Sequence, residues 1–392
     1  MNITYCNDIY VYDKDGKEYI DTRFGAGSFI LGHTKEFNNQ IFEQINKGIL
    51  FGYPSVNEID FKNTLQKTLS WYDEFIFCSS GSESIMKAFR IARSFTKKTK
   101  IAILSSFWHG GYDGTQVENY YPDVKIISSS GITENHIDEL ILLPNNDNKK
   151  CFEILIKNKD DIAMVFCEPV QQIVPHINIE LLKELRKFTK ENKILFGFDE
   201  MITGFRLALG GAQEYLNIYS DIACYGKIIG GGYPIGIIAI NKEINDHIET
   251  VQPSIRFGGT FSGNPLSTYT GNLVLNYLIE NKSDIYAKIN NLTKRLCDKI
   301  NEFSQVNNFS IQFCYVGSFY RIIFTDKNIT SMEERKKYEL NNIKQKQFYN
   351  ILIENNLITA ANPLSFISYK HTESDIDRIS EIYKKSIINF FQ

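Results

Sequence analysis

A single lysine, Lys227, stands between the apolar run Ile222-Ala223-Cys224-Tyr225-Gly226 and three consecutive glycines, Gly230-Gly231-Gly232. Glycines let the backbone approach closely and take unusual dihedrals, while a lysine in a partly desolvated setting loses basicity and becomes a nucleophile. A lysine that merely snorkels to solvent has the same local sequence. A second run, Ile194-Leu195-Phe196-Gly197-Phe198, delivers two acids, Asp199 and Glu200, followed by Met201. At the C-terminal end of a strand in an open α/β sheet, a carboxylate can pair with a buried cationic nitrogen; a helix cap or a metal ligand fits Asp199 as well. The third feature is Phe77-Cys78-Ser79-Ser80-Gly81-Ser82-Glu83, where an apolar run ends in small residues and a helical pattern begins at once. Unpaired N–H groups and the positive end of a helix dipole at Gly81 and Ser82 suit an anion such as phosphate, although Ser80-x-x-Glu83 also fits a capping box. Singly, each feature has an ordinary structural explanation. Together, an amine, an acid and an anion cradle are what one phosphorylated pyridine aldehyde requires.

These groups need elements to hold them. From about Phe75 to Ile240, short apolar runs (Phe75–Cys78, Ile101–Leu104, Lys125–Ile127, Ile162–Cys167, Ile194–Phe198, Ile222–Tyr225, Ile235–Ile240) alternate with helical stretches such as Ser82–Thr96 and Leu181–Glu191. The rhythm predicts a mostly parallel sheet covered by helices. From Asn264 onward it changes to long helices (Leu266–Glu280, Asp284–Phe303), a pair of strands within Phe309–Thr325, and helices near Glu333–Asn355 and Ser374–Asn389. The expected division is a large domain over residues 51–280 and a small α+β domain over residues 281–392, with residues 1–50 packing against the latter. A chain of 392 residues supports such a division.

The bulk properties narrow the function. A net charge of -3 with scattered charges leaves no basic stripe, which argues against nucleic acid. No apolar run is long enough to span a bilayer, and Met1-Asn2-Ile3-Thr4 lacks the basic and apolar regions of a signal peptide, so a cytoplasmic protein is expected. Seven cysteines without a C-x-x-C pair read as reduced core thiols, and six dispersed histidines argue against a metal site. Gly25-Ala26-Gly27 is the nearest thing to a dinucleotide loop and lacks both the preceding buried strand and the full glycine spacing.

Over most of its length the chain resembles a class III aminotransferase of pyridoxal-5′-phosphate (PLP) fold type I, and most the glutamate-1-semialdehyde aminomutase branch. The matching elements come in order: Asp15-Gly16-Lys17-Glu18-Tyr19-Ile20-Asp21, Leu31-Gly32-His33, Ser80-Gly81-Ser82-Glu83 with Arg90 and Arg93, Trp108-His109-Gly110-Gly111, Glu168-Pro169-Val170, Asp199 to Arg206, Gly226-Lys227 with Gly230 to Gly232, and Gly259 to Pro265. The resemblance implies that Lys227 forms the internal aldimine and Asp199 pairs with the pyridine nitrogen. It further implies that Gly81 and Ser82 hold the phosphate, that Trp108 and Met201 cover the two ring faces, and that Glu168 belongs to the cofactor site. Thr260 would reach in from a neighbouring subunit, so the site would be complete only in a homodimer.

Departures bear on the substrate. Trp108 stands where the family has Tyr or Phe, and Met201 where Val is common; both changes keep contact with the cofactor. The text after Gly114 lacks much of the Gly-rich segment typical of the aminomutases, and Ala360-Ala361-Asn362-Pro363-Leu364-Ser365 is shorter than their loop and lacks its acidic residue. The chain also opens where the aminomutases already have a substrate-enclosing segment. These differences favour ping-pong exchange of an amino group between a donor and a carbonyl acceptor, with intramolecular aminomutase chemistry second. A non-catalytic protein on this fold predicts loss of the lysine or the carboxylate, and both are present. Arg23 and Arg206 are candidates for a substrate carboxylate, with a structural salt bridge an equal alternative for each.

Overall fold

Runs of β-branched and aromatic residues form a seven-stranded sheet whose strands lie in the order Glu74–Cys78, Gly236–Ile240, Ile222–Gly226, Leu195–Asp199, Ile162–Cys167, Lys100–Leu104 and Leu140–Leu143. The last five are mutually parallel, and Gly236–Ile240 runs against both of its neighbours. Strands such as Ile162–Cys167 and Ile222–Gly226 are buried at every residue, as expected where both sheet faces are covered, and so they read as unbroken apolar runs. The computed structural model describes residues 2–105, 108–121, 124–330, 332–339, 342–359 and 364–392. Most of the shortened C-terminal loop, residues 360–363, therefore lies outside the described residues.

The helix Gly81–Thr96 covers one face. Ile85, Ala88, Phe89, Ile91 and Ala92 recur at helical spacing and pack with Met164, Phe166, Cys224 and Ile238 of the sheet. Each of the Ile, Phe and Met side chains among them contributes roughly 1.5–3 kcal/mol by leaving water. One expected strand is placed differently. Val124–Ile127 pairs antiparallel with Val117–Tyr121 in a separate hairpin. Leu140–Leu143, an apolar run not among the expected strands, takes the sheet edge beside Lys100–Leu104.

The chain forms two compact units, one comprising Ile41–Val170 and Ile177–Asn276, the other Met1–Gln40, Gln171–His176 and Tyr277–Gln392. The first holds the seven-stranded sheet. The second has a four-stranded sheet (Ile3–Asn7, Tyr10–Asp13, Glu18–Asp21, Leu357–Ile358), a three-stranded sheet (Gln312–Val316, Phe319–Ile323, Leu364–Phe366), and the long helices Lys282–Val306 and Glu373–Phe391. Two of its opening motifs meet where His33 Nε2 lies 2.9 Å from Asp21 Oδ2. Among the described residues no helix is long and apolar enough to cross a membrane. The cysteines are all unpaired; Cys78, Cys151, Cys167, Cys224 and Cys297 are buried and Cys6 is exposed.

Candidate active site

Parallel strands end along one edge of the sheet, and the residues that follow those ends are the ones singled out above. Cys78, Leu104, Cys167, Asp199 and Gly226 close five co-directional strands, so Ser79–Ser82, Trp108–His109, Glu168, Asp199 itself and Lys227 gather at that edge. Open α/β sheets bind their ligands there.

Lys227 follows Gly226 directly and opens the single 3₁₀ turn Lys227–Gly230 with a left-handed φ of 53°. Lys97 and Lys193 take the same region, so this dihedral sets the direction of the side chain without marking a site by itself. Burial holds its ammonium below the usual lysine range; the carboxylates of Asp199 and Glu168 oppose that shift and the Arg206 guanidinium adds to it. More of the neutral, nucleophilic amine is therefore present than on an exposed lysine.

Asp199 is 3 % exposed and fixed through both oxygens. Its Oδ1 accepts the Met201 N–H at 3.0 Å, and its Oδ2 lies 2.8 Å from Nδ1 of His109. His109 packs at 5.0 Å, centroid to centroid, on Phe166 of the neighbouring strand. The sequence places His109 inside a motif without giving it a role; its one available signal is its position immediately after Trp108. Glu168, His109 and Asp199 each present one polar atom within 4.8 Å of the others. Histidines that look dispersed along the chain thus say nothing of what the fold brings together. Such a trio also has the spacing of metal ligands.

The helix Gly81–Thr96 begins at the same edge. Ser80 caps it, its Oγ accepting the Glu83 N–H at 3.2 Å. The return half of the expected capping box is displaced by one residue, since the Glu83 carboxylate accepts the N–H of Ser79 at 2.7 Å. Gly81 and Ser82 lead the helix, where N–H groups have no intrahelical acceptor. The Oγ of Ser82 accepts the Gly111 N–H at 2.9 Å, which leaves its own O–H to donate. A Cβ at Gly81 would come 2.6 Å from Sδ of Met201, so the start of this helix and the residue beyond Asp199 are in close contact.

Trp108, Thr260 and Arg23 are less enclosed. Trp108 is 59 % exposed, and Thr260 lies in an exposed segment without regular structure. Arg23 is exposed, whereas Arg206 is wholly enclosed, which disfavours it as a substrate ligand. The donor set fits PLP: an amine of lowered basicity for the aldehyde, a rigidly held acid for the ring nitrogen, and a helix N-terminus with a hydroxyl donor for the phosphate.

Comparison with known proteins agrees. The family model described as aminotransferase class-III matches residues 1–382. The glutamate-1-semialdehyde 2,1-aminomutase of Archaeoglobus fulgidus is 34 % identical, covering 96 % of this chain and 90 % of the relative. The enzyme of that name from a Hydrogenobaculum strain is 36 % identical with the same coverage. Among solved structures, a transaminase with PLP bound superposes with a TM-score of 0.88 at 24 % identity, over 99 % of this chain and 91 % of that one, a likeness of fold. On the family match and the identity to these relatives, the chain belongs to the class III aminotransferases and uses pyridoxal phosphate.

Proposed function

We propose that this chain is an intramolecular aminomutase acting on glutamate 1-semialdehyde or a close analogue, exchanging amino and oxo groups between neighbouring carbons to give a 5-amino-4-oxopentanoate. The observation that carries this choice is the 34 % identity, over 96 % of the chain, to an aminomutase of that name. It reverses the order expected from the sequence, in which exchange between two substrates came first.

Bound PLP supplies an aldehyde that accepts an amino group and a ring that takes up the electron pair released when a neighbouring C–H bond breaks. Lys227 Nζ would hold the cofactor, and as a free amine it would accept the proton from the substrate carbon and return it. Its depressed basicity suits both directions of that transfer. Asp199 pairs with the ring nitrogen, and His109 fixes the carboxylate's direction from behind. Glu168 adds a second carboxylate to the same pocket. Gly81 and Ser82 would bind the phosphate, Trp108 and Met201 would lie against the ring, and Thr260 of the partner subunit would complete the phosphate site in a homodimer.

One observation favours transamination between two substrates. Between Gly114 and Gly131 the chain has no glycine, and Val117–Tyr121 and Val124–Ile127 pair as a short hairpin where the aminomutases carry Gly-rich text. Incubating the purified yellow protein with glutamate 1-semialdehyde alone decides between the two. Isomerisation without a second substrate supports the aminomutase; turnover that requires both an amino donor and a carbonyl acceptor replaces it with the transaminase.

A further inference from the structure

Helix Gly81–Thr96 does more than present its N-terminus. Glu83, Lys87 and Arg90 fall at i, i+4 and i+7, on one face of the helix, and all three grip the segment 256–262 that carries Thr260. Lys87 is 1 % exposed, and its Nζ donates both to Glu83 Oε1 and to the Gly258 carbonyl at 2.7 Å. Arg90 donates to the Arg256 carbonyl at 2.6 Å, and the Ser262 hydroxyl donates to Glu83 Oε1 at 3.5 Å. Burial alone would raise the Glu83 carboxyl, but the bonds from Lys87 and the Ser79 N–H bring it below the usual range. The close fit extends to Gly259, which has a φ of 129°, and where a Cβ would stand 2.8 Å from Glu83 Oε1. A buried ammonium bonded to a backbone carbonyl is costly to leave unpaired, so this contact holds the segment in one place. The exposed Thr260 and Phe261 project from a segment that is anchored on the far side.

We infer that Lys87 is a positioning residue acting in trans: it fixes the segment that presents Thr260 to the cofactor phosphate of the partner subunit. This rests on the proposed homodimer and on Thr260 crossing between subunits. The helix then serves two sites, its own through Gly81 and Ser82 and its partner's through Lys87.

Hybrid dimers made from differently tagged subunits test this, read by the visible absorbance of PLP bonded to Lys227 during titration with PLP. The Lys87→Met homodimer is expected to bind PLP about tenfold more weakly than the unsubstituted protein, the scale of one charged hydrogen bond. Pairing a Lys87→Met subunit with a Lys227→Ala subunit leaves one bondable site, whose Thr260 comes from a subunit with Lys87 intact. That site is expected to regain full affinity. The reverse hybrid, an unsubstituted subunit with a Lys87→Met/Lys227→Ala subunit, is expected to be weakened. The opposite pattern, or a homodimer unchanged in affinity, overturns the inference. The milder Arg90→Ala, on an exposed contact, is expected to weaken the trans site in the same sense even if Lys87→Met folds poorly; a weakening confined to the cis site overturns the inference. The same hybrids with Thr260→Ala separate the two layers. If Thr260→Ala acts in trans and Lys87→Met in cis, the role of Lys87 falls alone; if Thr260→Ala acts in cis or not at all, the crossing of Thr260 falls.

Discussion

The imidazole of His109 and the carboxylate of Asp199 lie 2.8 Å apart, Nδ1 to Oδ2, across a separation of 90 residues in the chain. Both side chains are almost fully enclosed. A hydrogen bond in such surroundings is strong, and the acid it orients cannot swing away from its second bond to the Met201 N–H.

Replacing the ring without replacing its volume isolates this bond. His109→Phe is expected to lower kcat about tenfold to hundredfold at saturating PLP, the scale of leaving a buried charged partner unmet. Steady-state kinetics alongside a melting curve checks it: the fall in rate should persist at temperatures where the variant is fully folded.

Two glycines test the contact between the helix start and the sheet. A Cβ at Gly236 would come 2.1 Å from the Ser80 carbonyl oxygen, a backbone atom that cannot step aside. At Gly81 the obstacle is the flexible end of Met201. Gly236→Ala is therefore expected to be the more harmful, costing about 1–3 kcal/mol of stability and displacing the phosphate cradle. Gly81→Ala should mainly weaken PLP binding. Denaturant midpoints and PLP titrations measure both.

Much of this arrangement was legible in the sequence because the sheet is buried on both faces. Each site strand is an apolar run that stops abruptly, at Cys78, Cys167, Asp199 or Gly226, and the chemistry-bearing residue sits at the stop. The direction of Gly236–Ile240 is legible as well. Residues 227–235 are too few for a crossover helix, so the strand has to return antiparallel. Leu140–Leu143 is an apolar run as long as Phe75–Cys78 and Ile101–Leu104 and carries the same signal. His109 and Asp199 belong to segments whose adjacency depends on strand order, which local pattern does not encode. Lys87 left a trace: it is a lysine on the buried face of an amphipathic helix, between Ser84, Ile85 and Ala88, Ile91. A charge in that position implies a partner.

Stability should depend on pH through Glu200. Burial raises its carboxyl to about 7 despite hydrogen bonds from Thr203 and from the N–H groups of Ala212 and Gln213. The folded protein then keeps a proton that the unfolded chain releases near about 4.3, so stability falls as pH rises between about 4.5 and 7, by at most about 1.4 kcal/mol per pH unit. Thermal midpoints of the unsubstituted protein and Glu200→Gln across that range check the sign: the decline attributable to this residue should vanish in the variant.

The central claim is that Lys227 carries the cofactor, and borohydride reduction of the yellow protein followed by peptide mass mapping tests it most directly. The account predicts one phosphopyridoxyl group per chain, located on the peptide containing Lys227, and none in Lys227→Ala. A modified lysine elsewhere in the chain, or reduction that leaves Lys227 untouched while the colour disappears, contradicts it.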